Sequence, residues 1–124
     1  MKPTDSELEI LQLLWELGPS TVRAVNERLN ERRDVGYTTT LKLLQIMFEK
    51  GIVTRLEEGR THTYTAAITE TDTQTVLLQE FVDQTFRGSA MKMVMQALGN
   101  HDASTEELDE IKALIAQMEQ QNKL

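Results

Sequence analysis

Apolar residues recur at helical spacing from the start of the chain. Leu8, Ile10, Leu11, Leu14 and Trp15 form the first stripe. Thr4 stands three residues before Glu7, the spacing of a capping box, and Gly18-Pro19 ends the helix. Ser20 is positioned to cap a second helix over roughly 21–32, with Val22, Val25 and Leu29 on its inner face. The polar segment Arg33-Asp34-Val35-Gly36 separates it from a third helix, roughly 38–50, closed by Gly51. The period then changes. Ile52 to Leu56 and Thr61 to Thr65 are rich in β-branched residues, and Glu57-Glu58-Gly59-Arg60 between them holds the glycine that a hairpin turn requires.

From about Glu70 the helical period returns. Leu77, Leu78, Phe81 and Val82 form a stripe that reaches Phe86 and stops at Gly88. Met91, Val94, Met95 and Leu98 form a shorter one before Gly99-Asn100. Ser104 and Glu107 repeat the capping-box spacing, and Leu108, Ile111, Leu114, Ile115 and Met118 continue toward the C-terminus. The fold expected is mostly α with a small β-hairpin wing: an N-terminal winged helix-turn-helix over 1–68 and a helical region over 69–124. The last three helices have no large core beside them, which suits a dimerisation unit better than a free-standing domain.

The third helix opens with Thr38 and Thr39, followed by Lys42 and Gln45. Small hydroxyl side chains let a helix approach a DNA backbone closely, and Lys and Gln reach phosphates or base edges in the major groove. Which residues face outward depends on the buried face. Thr40, Leu43, Leu44 and Met47 follow one helical stripe and leave Thr38, Thr39, Leu41, Lys42, Gln45, Ile46 and Glu49 outside. Leu41, Leu44 and Phe48 define a competing stripe, rotated by a fraction of a turn. Arg55 and Arg60 on the hairpin are candidate wing contacts to phosphate or the minor groove. Arg32 and Arg33, before the helix, read more simply as a solvated charge pair.

Charge argues the other way. The 124 residues carry a net charge of −7, which taken alone disfavours nucleic acid. The distribution qualifies it: residues 67–124 hold four basic against ten acidic residues, whereas 20–65 hold eight basic against six acidic. A chain that meets DNA with one end tolerates such an asymmetry. Hydrophobic residues make up 40% of the chain and aromatics 5%, so the core is built of Leu, Val, Ile and Met. No apolar run is long enough to cross a bilayer and the start has no signal-peptide pattern, so a cytoplasmic location is expected.

Other chemistry is poorly supported. There is no cysteine, which removes disulfides, thiol catalysis and thiolate metal sites. Met91, Met93 and Met95 do not share one helical face, so core packing is favoured over a soft-metal site. His62 and His101 have no third ligand at a recognisable spacing. Glu106, Glu107, Asp109 and Glu110 suit the N-terminus of the last helix through its dipole. No catalytic constellation and no cofactor-binding motif is present, so a non-enzymatic role is expected.

The segments DSELEILQLLWELGPSTVRAV, VGYTTTLKLLQIMFEKGIVTR and GRTHTYTA resemble the penicillinase-repressor (BlaI/MecI/CopY) family of winged-helix regulators. The resemblance runs over nearly the whole chain. It implies a homodimeric repressor that binds an inverted-repeat operator in double-stranded DNA, and it supports the first choice of buried face. Thr38, Thr39, Lys42, Gln45, Arg55 and Arg60 are then the expected DNA contacts. Phe81, Phe86, Val94, Leu98, Leu108, Ile111 and Ile115 are the expected dimer interface. The family also implies a regulatory protease or sensor as a further partner. Two features depart from its pattern: the Asn-Phe bond cut in regulators of β-lactamase genes corresponds to Gln96-Ala97, and the C-terminal cysteine cluster of copper-responsive members is missing. A rival reading is a winged-helix adaptor that docks a protein partner through its acidic half. Steep salt dependence of duplex binding would separate the two, since counterion release marks a nucleic-acid contact.

Overall fold

The computed structural model describes residues 2–100 and 102–123; His101, placed in a loop by the sequence, lies outside them. The elements run α1 (Asp5–Leu17), β1 (Ser20–Thr21), α2 (Val22–Asn30), α3 (Tyr37–Lys50), β2 (Val53–Glu58), β3 (Thr61–Ala66), α4 (Glu70–Phe86), α5 (Ala90–Asn100) and α6 (Thr105–Asn122). The strands form one antiparallel sheet in the order β1-β3-β2. The chain divides into two compact units, 1–79 and 80–124, so the division falls within α4, whereas the sequence pattern suggests 68/69. The start of α4 belongs with the first unit: the Trp15 indole donates to the Ile68 carbonyl at 3.0 Å, and Thr73 is buried. No described helix is long and apolar enough to cross a membrane.

The first unit is assembled around Ile10, Leu11, Leu14, Val25, Leu29, Leu44, Met47, Val53 and Tyr64. Tyr64 on the central strand is fully buried and its hydroxyl has no hydrogen-bond partner among the described residues. α1 begins with the expected capping box: Thr4 Oγ1 accepts from the Glu7 N–H at 3.2 Å, and Glu7 Oε1 accepts from the Thr4 N–H at 2.9 Å. Glu7 does more than cap. Its carboxylate is almost fully buried and accepts two hydrogen bonds from Lys50 Nζ, at 2.8 and 3.0 Å, which join the start of α1 to the end of α3.

Ser20 does not cap α2. It pairs with Tyr64 in the sheet and its hydroxyl donates to the Gly18 carbonyl at 2.8 Å. Thr21 takes the cap instead, accepting from the Ala24 N–H at 3.1 Å. α2 also ends at Asn30 rather than near Arg32, because asparagine side chains organise the following turn. Asn26 and Asn30 both donate to the Val35 carbonyl, at 2.9 and 2.8 Å, and Val35 N–H donates back to Asn30 Oδ1 at 3.2 Å. Asn26 Nδ2 also donates to Thr40 Oγ1 at 2.9 Å. Thr40 is fully buried on α3; its hydroxyl accepts from this amide and donates to the Gly36 carbonyl at 3.4 Å, so it is paired in both senses within the core.

Gly51 ends α3 at φ 82. That left-handed turn, which glycine adopts without a Cβ clash, sends the chain directly into the hairpin. Glu58 pairs with Thr61, so the loop is only Gly59-Arg60. Gly59, at φ 64, holds the first central position, as in a II′ hairpin.

In the second unit, Ser104 and Glu107 form the second capping box, each bond at 3.1 Å. The rings of Phe81 and Phe86 meet edge-on at 5.7 Å. None of the residues of α5 or α6 is buried. Phe81, Val94, Leu98, Leu108 and Ile115 are exposed, and Phe86 and Ile111 are half-buried.

Two outcomes follow for stability. Burial pushes the Glu7 carboxyl up, but the bonds from Lys50 and Thr4 outweigh it and hold the group below its ordinary value of 4.5. The stabilisation is therefore complete above pH 4.5 and is lost as pH falls through the lowered value. Glu7→Gln should destabilise the protein by about 3 kcal/mol near neutrality, the lower end for breaking a buried pair because Lys50 can rehydrate. Urea titrations should show that gap closing in acid; a gap independent of pH would remove the ion pair from the account. In a double-mutant cycle, Asn26→Ala and Thr40→Val should each destabilise and should couple by about 1 kcal/mol, whereas additive effects would mean that the amide does not serve the hydroxyl.

Candidate nucleic-acid interface

The rotation of α3 follows from its buried face. Thr40, Leu44 and Met47 are fully buried, Leu43 and Leu41 pack partly against the core, and Phe48 is exposed. Of the two stripes compatible with the sequence, the first is therefore the one that faces inward. Thr38, Thr39, Lys42, Gln45 and Glu49 are all exposed. Thr38, Lys42, Gln45 and Glu49 stand in one row along the helix, at spacings of four, three and four. The helix starts after Gly36 with no side-chain cap and no acid in its first turn, so its first N–H groups and its positive dipole end stay open.

The basic residues of the region sort into two groups. Arg28 pairs with Glu16 on α1 at 3.1 Å. Arg32 and Arg33 both pair with Glu9 on α1, so they fasten the turn before α3 to the first helix. Lys50 is held by Glu7 at 2.8 Å. Arg55 lies 4.1 Å above the Phe48 ring and reaches Glu57 at 3.0 Å. Arg23 makes a loose 3.4 Å pair with Glu27, both side chains widely exposed, of the kind that contributes little. Of the eight Lys and Arg in 20–65, only Lys42 and Arg60 have no ion-pair partner among the described residues.

The two hairpin arginines are not brought together. Arg55 lies opposite Tyr64 and over the C-terminal end of α3. Arg60 stands in the hairpin turn and lines a groove with Tyr37, Leu41 and Gln45 of α3. The same groove is lined by Arg23 at the start of α2 and by His62 on β3. Thr38, Thr39 and Lys42 are not among the residues lining it. The sequence reading passed over Tyr37 and Arg23. Tyr37 carries one legible signal, since it precedes Leu41 and Gln45 at helical spacings of four. Arg23 carries none, because its proximity to the hairpin depends on the sheet that draws β1 against β3.

This arrangement of three helices and a hairpin has counterparts of known structure. The DNA-binding domain of the repressor BlaI in solution is 28% identical with a TM-score of 0.51, spanning 58% of this chain and 93% of that one. The monomeric form of Bacillus licheniformis BlaI in complex with the blaP half-operator is 26% identical with a TM-score of 0.50, over 58% of this chain and 88% of that one. The penicillinase repressor of Bacillus licheniformis is 26% identical over 120 residues, which cover 97% of this chain and 94% of that protein. The family model described as penicillinase repressor matches residues 3–117. With the match extending through the three N-terminal helices, the hairpin and most of the C-terminal helical unit, the chain belongs to the penicillinase-repressor family of winged-helix transcriptional regulators.

Proposed function

We propose that this chain is a DNA-binding transcriptional repressor that acts as a homodimer on an inverted-repeat operator. The observation that carries the reading is the sorting of charge. In a chain of net charge −7, six of the eight basic residues around α3 and the hairpin are engaged by carboxylates, and the two without an ion pair, Lys42 and Arg60, belong to the exposed side of α3 and to the hairpin tip. Solved relatives support the same role, one of them bound to a half-operator. Thr38, Thr39, Lys42 and Gln45 would enter the major groove, with Lys42 and Gln45 long enough to meet base edges. Arg60 would meet the backbone or minor groove at the hairpin tip. Arg55 would contribute chiefly by stacking on Phe48 and holding the hairpin against the end of α3.

The dimeric part of the reading rests on the second unit. Phe81, Val94, Leu98, Leu108 and Ile115 leave apolar surface exposed on α4, α5 and α6, and a second copy of the chain would cover it together with Phe86 and Ile111. Two-fold symmetry then requires half-sites separated by whole helical turns of about 10 bp.

Selection from random duplexes at near-physiological salt tests the function directly. Enrichment of a dyad-symmetric site is expected. No enrichment by a folded protein would favour the adaptor reading, for which the net charge of −7 is the main support. On the selected site, Lys42→Ala should weaken binding by about 1–3 kcal/mol and relax preference at one base position, and an unchanged titration would remove it from the contacts. Ile115→Glu should convert dimer to monomer in sedimentation velocity and weaken operator binding at least about tenfold through lost avidity. A variant that sediments as wild type would place Ile115 outside the interface.

A further inference from the structure

The groove between α3 and the hairpin has a lining that the major-groove row does not explain. Two helices begin at it, α2 at Val22 and α3 at Tyr37. Neither has an acidic residue in its first turn, whereas α1, α4 and α6 all do. Its lining includes Arg23, Arg60, His62 and the exposed Tyr37. No carboxylate lines it. Acids do stand next to lining residues: Glu57, opposite His62 in the strand register, is held by Arg55 at 3.0 Å; Glu58 lies opposite Thr61; and Glu27 makes a loose 3.4 Å pair with Arg23 itself, both side chains widely exposed, which a phosphate would displace at little cost.

We infer that this groove is a track for one DNA backbone strand, in which Arg23, Tyr37 and His62 bind successive phosphates alongside Arg60. The inference rests on the DNA-binding reading above and adds residues that carry affinity without sequence information. The chemistry fits a phosphodiester and not a base edge. Guanidinium and imidazole donors, a phenolic O–H and the starts of two helices border a space with no carboxylate in its lining. Apolar Val22 and Leu41 also belong to its lining. The track also gives the fold an orientation device. With one strand seated between α3 and the hairpin, Thr38 and Lys42, which do not line the groove, are turned toward the adjacent major groove, and Gln45 stands at the border of the two.

The test measures binding of the full chain to its selected duplex and to an unrelated duplex, across a salt series, with folding checked by thermal unfolding. Arg23→Ala should weaken both duplexes by the same factor, about tenfold, and reduce the slope of log K against log salt by about 0.9. Arg23→Lys should restore the slope. Tyr37→Phe should weaken both duplexes equally with the slope unchanged, because a neutral donor releases no counterion. Lys42→Ala serves as the contrast, since it should alter the ratio between the two duplexes. If wild type binds with steep salt dependence while Arg23→Ala and Tyr37→Phe match it, the track is refuted and the DNA-binding reading stands. A change confined to the selected duplex would make Arg23 a base reader and also refute the track. Failure of wild type to bind either duplex would overturn both readings together.

Discussion

The helix-turn-helix depends on one polar cluster, the side-chain amides of Asn26 and Asn30 closing on the Val35 carbonyl. A turn between two packed helices leaves backbone groups that neither helix can satisfy, and burying them unpaired would cost more than the packing nearby returns. Asn26 meets that demand and also reaches Thr40, a fully buried hydroxyl on the core side of α3. One side chain thereby fixes the distance between α2 and α3 and the rotation of α3 about its own axis. The rotation matters most for function. A third of a turn would bury Lys42 or Gln45 and present Leu44 in their place.

Electrostatics follow from that placement. Once α3 is set, its last residue, Lys50, meets Glu7 at the start of α1, and Arg32 and Arg33 meet Glu9 two residues later on the same helix. These pairs neutralise positive charge that is not part of the exposed row. Lys42 and Arg60 remain without an ion pair among the described residues, in a chain whose total charge is negative. Under the proposed function, the acid of the C-terminal half would limit long-range attraction for DNA, and discrimination would fall on short-range contacts at the surface of α3.

The second unit is under a different constraint. Its helices are well defined, with a capping box at α6 and a left-handed stop at Arg87 and Gly88 after α4, yet none of the residues of α5 or α6 is buried. Local signals are enough to start and stop helices, but stability in water comes from covering an apolar face. The C-terminal half has the local part of that requirement and leaves much of its apolar surface for another surface to cover.

What the sequence determined by itself is the part governed by short-range rules. The capping boxes at Thr4 and Ser104, the stops at Gly18, Gly51 and Gly88, and a hairpin turn containing Gly59 involve residues at most a few positions apart, so spacing alone reveals them; that the turn narrows to Gly59-Arg60 came from the strand register. The choice between the two faces of α3 was narrowed by pattern and decided by packing, because Leu41 and Leu43 differ only in what lies beside them. The short strand at Ser20, the Lys50–Glu7 pair, the stacking of Arg55 on Phe48 and the gathering of Arg23, Tyr37, Arg60 and His62 around one groove were decided by tertiary structure. Each joins segments brought together only when the sheet closes on the three helices, and no periodicity along the chain encodes a contact whose partners lie so far apart in it.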